Sequence, residues 1–147
     1  MRTRKKSVQT RVQYGALPYR KNSDARTEVM LVTSRETHRW IIPKGWPHKG
    51  QTPHRSAARE AYEEAGVVGR VRRVSVGSFS YEKRLTTGSI AVCTVHVFAL
   101  EVRRQTRTWP EQHERKFKWL SPGQAAKAVK DPVLGKIIRR LARDTAS

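Results

Sequence analysis

The sequence holds one cysteine, Cys93, so no intrachain disulfide is available and a cysteine-based zinc site is excluded. A reduced, cytoplasmic setting is the expectation that goes with it. Long apolar runs are missing too. A membrane-spanning helix needs about 20 apolar residues, and the longest stretch, Ile90 to Leu100, is interrupted by Thr94 and His96. The opening Met1-Arg2-Thr3-Arg4-Lys5-Lys6 has the basic residues of a signal sequence without the apolar segment that must follow, and no lipidation signal is present. No membrane association is therefore expected. Acidic residues are scarce: 12 Asp plus Glu stand against 31 Lys plus Arg in 147 residues, a net charge of +19. Such an excess favours polyanions, whether nucleic acid, polyphosphate or a phosphorylated small molecule; a basic solubilising surface is the plain alternative.

What is present suffices for one compact domain. Hydrophobic residues make up 37%, and four Trp, four Tyr and three Phe can anchor a core. Residues 1–8 read as a flexible basic arm. Strands are expected over Arg11 to Tyr19, Glu28 to Thr33 and Trp40 to Ile42, with Lys44 to Gln51 as a loop. Thr52-Pro53 opens a helix and Gly66 closes it. Val71 to Tyr81 reads as one strand, bent at Gly77. Ile90 to Val102 is apolar on both alternating faces, which predicts a central strand covered on both sides. A polar loop to Arg115, a short strand Phe117 to Leu120 and helices opened by Ser121-Pro122 and Asp131-Pro132 complete the chain. The order of elements argues for an α+β fold with a mixed sheet between helices.

The chemistry concentrates between Gly45 and Val67. At about 100° per residue, Glu63 and Glu64 lie about −60° and 40° from Glu60, so three carboxylates share one helix face. Ala58, Ala61, Tyr62 and Ala65 fall on the opposite side and are expected against the sheet. Arg59 stands four residues before Glu63, close enough to orient it. Carboxylates this close repel one another unless a cation joins them, and an oxygen-only donor set suits Mg²⁺ or Mn²⁺. A solvated acidic face has the same pattern, but three of only 12 acids crowd one turn here.

Gly45-x5-Gln51-x7-Arg59-Glu60-Ala61-Tyr62-Glu63-Glu64-Ala65-Gly66-Val67 resembles the signature box of the nudix hydrolases, with Gln51 where the family has glutamate. The resemblance implies an α/β/α sandwich over 9–147 and Mg²⁺- or Mn²⁺-dependent hydrolysis of a pyrophosphate bond. By position it implies Gly45, Glu60, Glu63 and Glu64 as metal-holding residues, with Glu63, Glu64 and Arg59 in catalytic roles. A later-loop base or ligand is sought at Glu111 or Glu114. The flanking His48 and His54 read as loop and helix-surface residues, and Cys93 as core.

Gly15 to Arg20, Trp40 to Gly45 and Arg59 to Val67 are most similar to the diphosphoinositol polyphosphate phosphohydrolase branch, whose members also cleave dinucleoside polyphosphates. That likeness implies phosphate contacts from Arg35, Lys44, Lys83, Arg84 and Lys116, with Arg11 in the first strand. Lys44 stands where animal members commonly have Gly. The rival readings are a nucleoside triphosphate or RNA 5′-end pyrophosphohydrolase, and a non-catalytic module that holds RNA or another polyanion. Nucleic acid is thus a compatible partner, though a phosphate-rich small molecule is the leading one.

Overall fold

The computed structural model describes residues 9–145; the basic arm expected over 1–8 lies outside them. Eleven elements follow in order: β1 (Gln9–Lys21), β2 (Thr27–Thr33), β3 (Trp40–Ile41), β4 (Lys44–Gly45), α1 (Pro53–Ala65), β5 (Val67–Val71), β6 (Gly77–Arg84), β7 (Ile90–Gln105), β8 (Phe117–Leu120), α2 (Pro122–Ala128) and α3 (Pro132–Thr145). Together they form an α/β/α sandwich around a mixed sheet.

The centre of the sheet is a long parallel pairing of β1 with β7, from Gln9 opposite Ala91 to Tyr19 opposite Glu101. Each of these strands outruns its neighbours. Along its outer side, β1 meets β4 at Tyr14 and Gly15 and then β2 at Tyr19 to Lys21. Similarly, β7 pairs with β6 over its first half and with β5 over its second. The outermost strand, β8, runs antiparallel along β2.

Side chains leave successive strand residues on opposite faces, so a strand apolar at every position must be covered twice. In β7, Val95, Val97 and Ala99 pack towards α2 and α3 with Ile137, Ile138 and Leu141, while Phe98 and Leu100 pack towards α1. β2 divides in the same way, with Val29 and Leu31 on one side and Met30 and Val32 on the other. Over Val97 to Leu100 this is the two-faced central strand that the pattern predicts, whereas earlier in β7 the face of Ile90, Val92, Thr94 and His96 is not buried.

The helix ends follow their local chemistry. The left-handed Gly66 (φ 69°) donates its N–H to the Tyr62 carbonyl. Ser121 and Gln124 form a reciprocal capping box, and Asp131 Oδ1 accepts from the N–H groups of Val133 and Leu134. Thr52 occupies the cap position of α1 without a side-chain hydrogen bond.

Three local expectations are corrected. Val71 to Tyr81 is two strands, because β5 and β6 serve different halves of β7 and residues 72–76 carry the chain between them. The segment Lys44 to Gln51 is not all loop: Lys44 and Gly45 pair with β1, and a two-residue ladder leaves no periodicity to read. Tyr62 is 36% exposed rather than packed on the sheet. The buried face of α1 is instead Ala57, Ala61 and Ala65, with Glu60 and Glu64 on the same side. Small side chains let the helix approach the sheet closely, which brings those two carboxylates against β4.

Candidate active site

Glu60 and Glu64 sit one turn apart on α1, facing β4. The Lys44 N–H donates to Glu64 Oε2 at 3.3 Å. Beside it, a Cβ on Gly45 would lie 2.3 Å from Glu60 Oε1, so glycine leaves the Glu60 carboxylate its place and any larger residue would push it aside.

Glu64 is only 3% exposed. Its Oε1 has no hydrogen-bond partner, although Arg115 Nη1 stands 3.6 Å away. Burial pushes the Glu64 carboxyl well above the ordinary range, against the pull of Arg115, and Glu60 and Glu111 push it further up. Glu60 is held from the other side by His48, whose Nε2 lies 2.5 Å from Glu60 Oε2. The loop that carries His48 is pinned by its N–H to Ser56 Oγ at 3.1 Å. Glu63 turns outward and accepts from Arg59 Nε at 3.0 Å, as the i,i+4 spacing predicts. One ligand atom each from His48, Glu60 and Glu63 lies within 4.8 Å of the others. A buried carboxylate oxygen without a hydrogen-bond donor among the described residues, next to a second carboxylate, is only partly compensated by the Arg115 charge 3.6 Å away, which leaves room for a cation. The carboxylate oxygens fit a hard divalent ion such as Mg²⁺ or Mn²⁺, with His48 serving as the hydrogen-bond partner of Glu60.

Glu60 and Glu64 open into a cleft of about 830 Å³. Arg35, Arg39, Lys44, Lys83 and Arg84 line it. Lys44 is the most constrained of these. Its Nζ donates to Tyr81 Oη at 2.9 Å and lies 4.2 Å from the ring centre, and Tyr81 Oη donates to buried Gln13 Oε1 at 2.6 Å. Burial lowers the Lys44 ammonium to about 8, while Glu64 pulls it back up. Burial also raises the Tyr81 phenol, so it stays a donor to Gln13.

The loop after β7 folds back onto α1. Thr106 donates its N–H to the Gly66 carbonyl at 2.8 Å, and Glu111 donates its own to the Glu63 carbonyl at 2.9 Å. The Trp109 ring lies over Gly66, where a Cβ would come within 2.2 Å of it. Arg115 then spans the wall: Nε donates to Glu111 Oε1 and Nη1 to the Thr33 carbonyl, both at 3.0 Å. Arg35 Nη1 meets Glu114 at 3.1 Å and Glu111 at 3.7 Å; the Glu114 hydrogen bond, aided by the Glu111 charge, raises its pKa.

Of the residues singled out from sequence, Gly45, Glu60 and Glu64 converge, and Glu63 with Arg59 flanks them. Arg35, Lys44, Lys83, Arg84 and Glu111 line the cleft. Two do not: Lys116 lines a second, shallower concavity, and Glu114 sits at the edge, bound to Arg35. Arg11 is exposed and bonds Gln9. Gln51 is exposed, with its N–H on the His48 carbonyl, so it shapes the His48 loop. His48 itself is corrected from a plain loop residue to a partner of Glu60. Sequence reading also missed Arg115, Tyr81 and Gln13, which lie in segments with no motif to mark them.

The NUDIX domain profile matches residues 10–141. Nudix hydrolase 12, mitochondrial, of Arabidopsis thaliana is 33% identical over 103 residues, covering 68% of this chain and 51% of its own length. Diphosphoinositol polyphosphate phosphohydrolase 2 of Rattus norvegicus is 32% identical over 124 residues, covering 81% and 65%. The C. elegans Ap4A hydrolase structure superposes with a TM-score of 0.67 at 20% identity, covering 93% of this chain and 99% of that one, a likeness of fold. The chain belongs to the NUDIX domain family. It spans about half to two-thirds of the length of these two curated relatives. Among the described residues no helix is long and apolar enough to cross a membrane.

Proposed function

We propose that this chain is a metal-dependent pyrophosphohydrolase acting on a phosphate-rich small molecule, with dinucleoside polyphosphates and inositol pyrophosphates as the leading classes. The observation that carries the reading is Glu64: a buried carboxylate with an unbonded oxygen, set beside Glu60 below a cleft walled by cations. Diphosphoinositol polyphosphate phosphohydrolase 2 of Rattus norvegicus, 32% identical, is named for the second of these classes.

In this reading Glu60, Glu63, Glu64 and the Gly45 carbonyl hold Mg²⁺ or Mn²⁺, and His48 fixes the orientation of Glu60. Such an ion, when bound, polarises phosphoryl oxygens and lowers the pKa of a bound water. Arg59 keeps Glu63 in place. Lys44, Lys83 and Arg84 receive the phosphates, and Lys44 does so from a preset position because Tyr81 and Gln13 hold its side chain. Arg35 contributes less, since Glu111 and Glu114 already occupy it. Attack of water on one phosphorus breaks its bond to the bridging oxygen, and the other phosphate leaves. The water's proton needs a carboxylate acceptor, and Glu64 and Glu111, both beside Arg115 in the cleft wall, are the two candidates. A reducing compartment such as the cytoplasm suits the buried thiol of Cys93.

The test is phosphate release from dinucleoside polyphosphates, inositol pyrophosphates, nucleoside triphosphates and 5′-triphosphate RNA, with and without Mg²⁺ or Mn²⁺. Metal-dependent turnover of the first two classes supports the proposal. No turnover of any substrate, with salt-sensitive RNA binding retained, supports a non-catalytic polyanion module instead.

A further inference from the structure

A second concavity of about 620 Å³ lies at the outer edge of β8, next to the cleft. Trp40, Trp109 and Phe117 supply its aromatic surface, and His113, Lys116 and Lys118 its polar and basic one. No acidic residue lines it, in contrast to the cleft with Glu60, Glu64 and Glu111. Phe117 is 40% exposed, which hydrophobic packing does not explain, and its ring meets Trp109 edge-on at 6.0 Å. Lys118 holds its ammonium 5.5 Å from the Trp40 ring centre. Two residues, Trp40 and Arg115, line both spaces and form the wall between the cleft and the concavity.

The exposed Phe117 ring, flanked by the half-buried Trp40 and Trp109 and by lysines, with no acid among the residues that line the space, fits a chain of nucleotides whose bases are free to stack. Bases stack on aromatic rings whatever their sequence, and the phosphates between them are drawn to the cations. A paired duplex offers no free base faces, and a purely anionic ligand such as polyphosphate makes no use of the rings. We propose that this concavity binds single-stranded nucleic acid. The net charge of +19 assists encounter with any polyanion; the aromatic rings are what select this one. The proposal does not depend on hydrolysis, because the concavity contains none of Glu60, Glu63 and Glu64.

The test is fluorescence anisotropy of a labelled short single-stranded RNA bearing a 5′-hydroxyl, in EDTA, over a salt series. Wild type is expected to bind. Phe117→Ala should weaken binding about tenfold, the loss of one stacked base. Lys118→Ala, a substitution at an exposed side chain that spares the fold, should weaken binding and lower the slope of log affinity against log salt by about one. Inorganic polyphosphate should compete equally well against both proteins when charge alone is involved, so its affinity should not change in Phe117→Ala. Metal-dependent release of phosphate from a small substrate should stay at the wild-type rate in both variants. Wild-type RNA affinity in both variants would overturn the proposal. So would an equal loss of polyphosphate and RNA affinity in Phe117→Ala. Neither outcome bears on the pyrophosphohydrolase reading, which stands or falls on turnover.

Discussion

Lys44 Nζ donates a 2.9 Å hydrogen bond to Tyr81 Oη while lying 4.2 Å from the centre of the same ring. The ring attracts the cation, the phenol oxygen accepts from it, and Gln13 Oε1 accepts a hydrogen bond from the phenol O–H. A lysine held this way is not free to swing with its four-carbon stem. Tyr81→Phe keeps the ring and removes only the oxygen. The expected result is a fall in kcat of about ten- to a hundredfold, in line with about 1.5–3 kcal/mol for a hydrogen bond to a charged group. In a Lys44→Met background the same change should have almost no further effect. Additive losses in steady-state kinetics would show that Tyr81 acts on the fold rather than on Lys44.

The Glu64 carboxyl gives the metal-free protein a definite pH dependence. Its folded pKa is raised, so the folded state binds a proton that the unfolded chain releases at about 4.3. Its contribution to stability is full below that value and is lost as pH rises towards the folded pKa. Thermal melts in EDTA should show this loss, and Glu64→Gln should flatten it. A wild type as stable in EDTA at neutral pH as in mild acid, with Glu64→Gln following the same curve, would contradict the argument.

Added Mg²⁺ or Mn²⁺ should therefore raise the melting temperature, and more at neutral pH than at acid pH, because the cation competes with the proton for the same carboxylates. Melts over a metal series at two pH values measure this.

Gly45→Ala places a methyl group in the space of the Glu60 carboxylate. The expected outcome is a folded protein whose metal affinity falls about tenfold or more, followed by titration calorimetry. An unchanged affinity would show that Glu60 can turn away without cost.

Lys83 and Arg35 both line the cleft, yet Arg35 already meets two glutamates. Lys83→Ala should raise KM for heavily phosphorylated substrates more than for lightly phosphorylated ones, and more than Arg35→Ala does. KM values across a charge series check both orderings.

The sequence made the central layer legible because its signals are periodic or local. A strand apolar on both alternating faces, Pro after a capping residue, and three glutamates at helical spacing within a longer motif each leave few physical interpretations. The pairing of Lys44 and Gly45 with β1 was not legible, because two residues make no period. His48 was misjudged because its partner is 12 residues away on a helix, a relationship set by the Ser56 anchor rather than by spacing. Arg115 lay in a polar loop among many other basic residues. Only the return of that loop onto Gly66 and Glu63 brings its guanidinium to Glu64. Lys116 was assigned to the cleft by position, but pairing of its backbone with Thr33 carries it to the other side of the wall.

The most direct test is phosphate release from diadenosine polyphosphate and inositol pyrophosphate by wild type and Glu64→Gln, each with Mg²⁺ and with EDTA. Turnover by wild type only with metal, and a fall of at least about a hundredfold in the folded variant, is the predicted result. Equal rates in the two proteins, or hydrolysis by wild type that survives EDTA, would contradict the account.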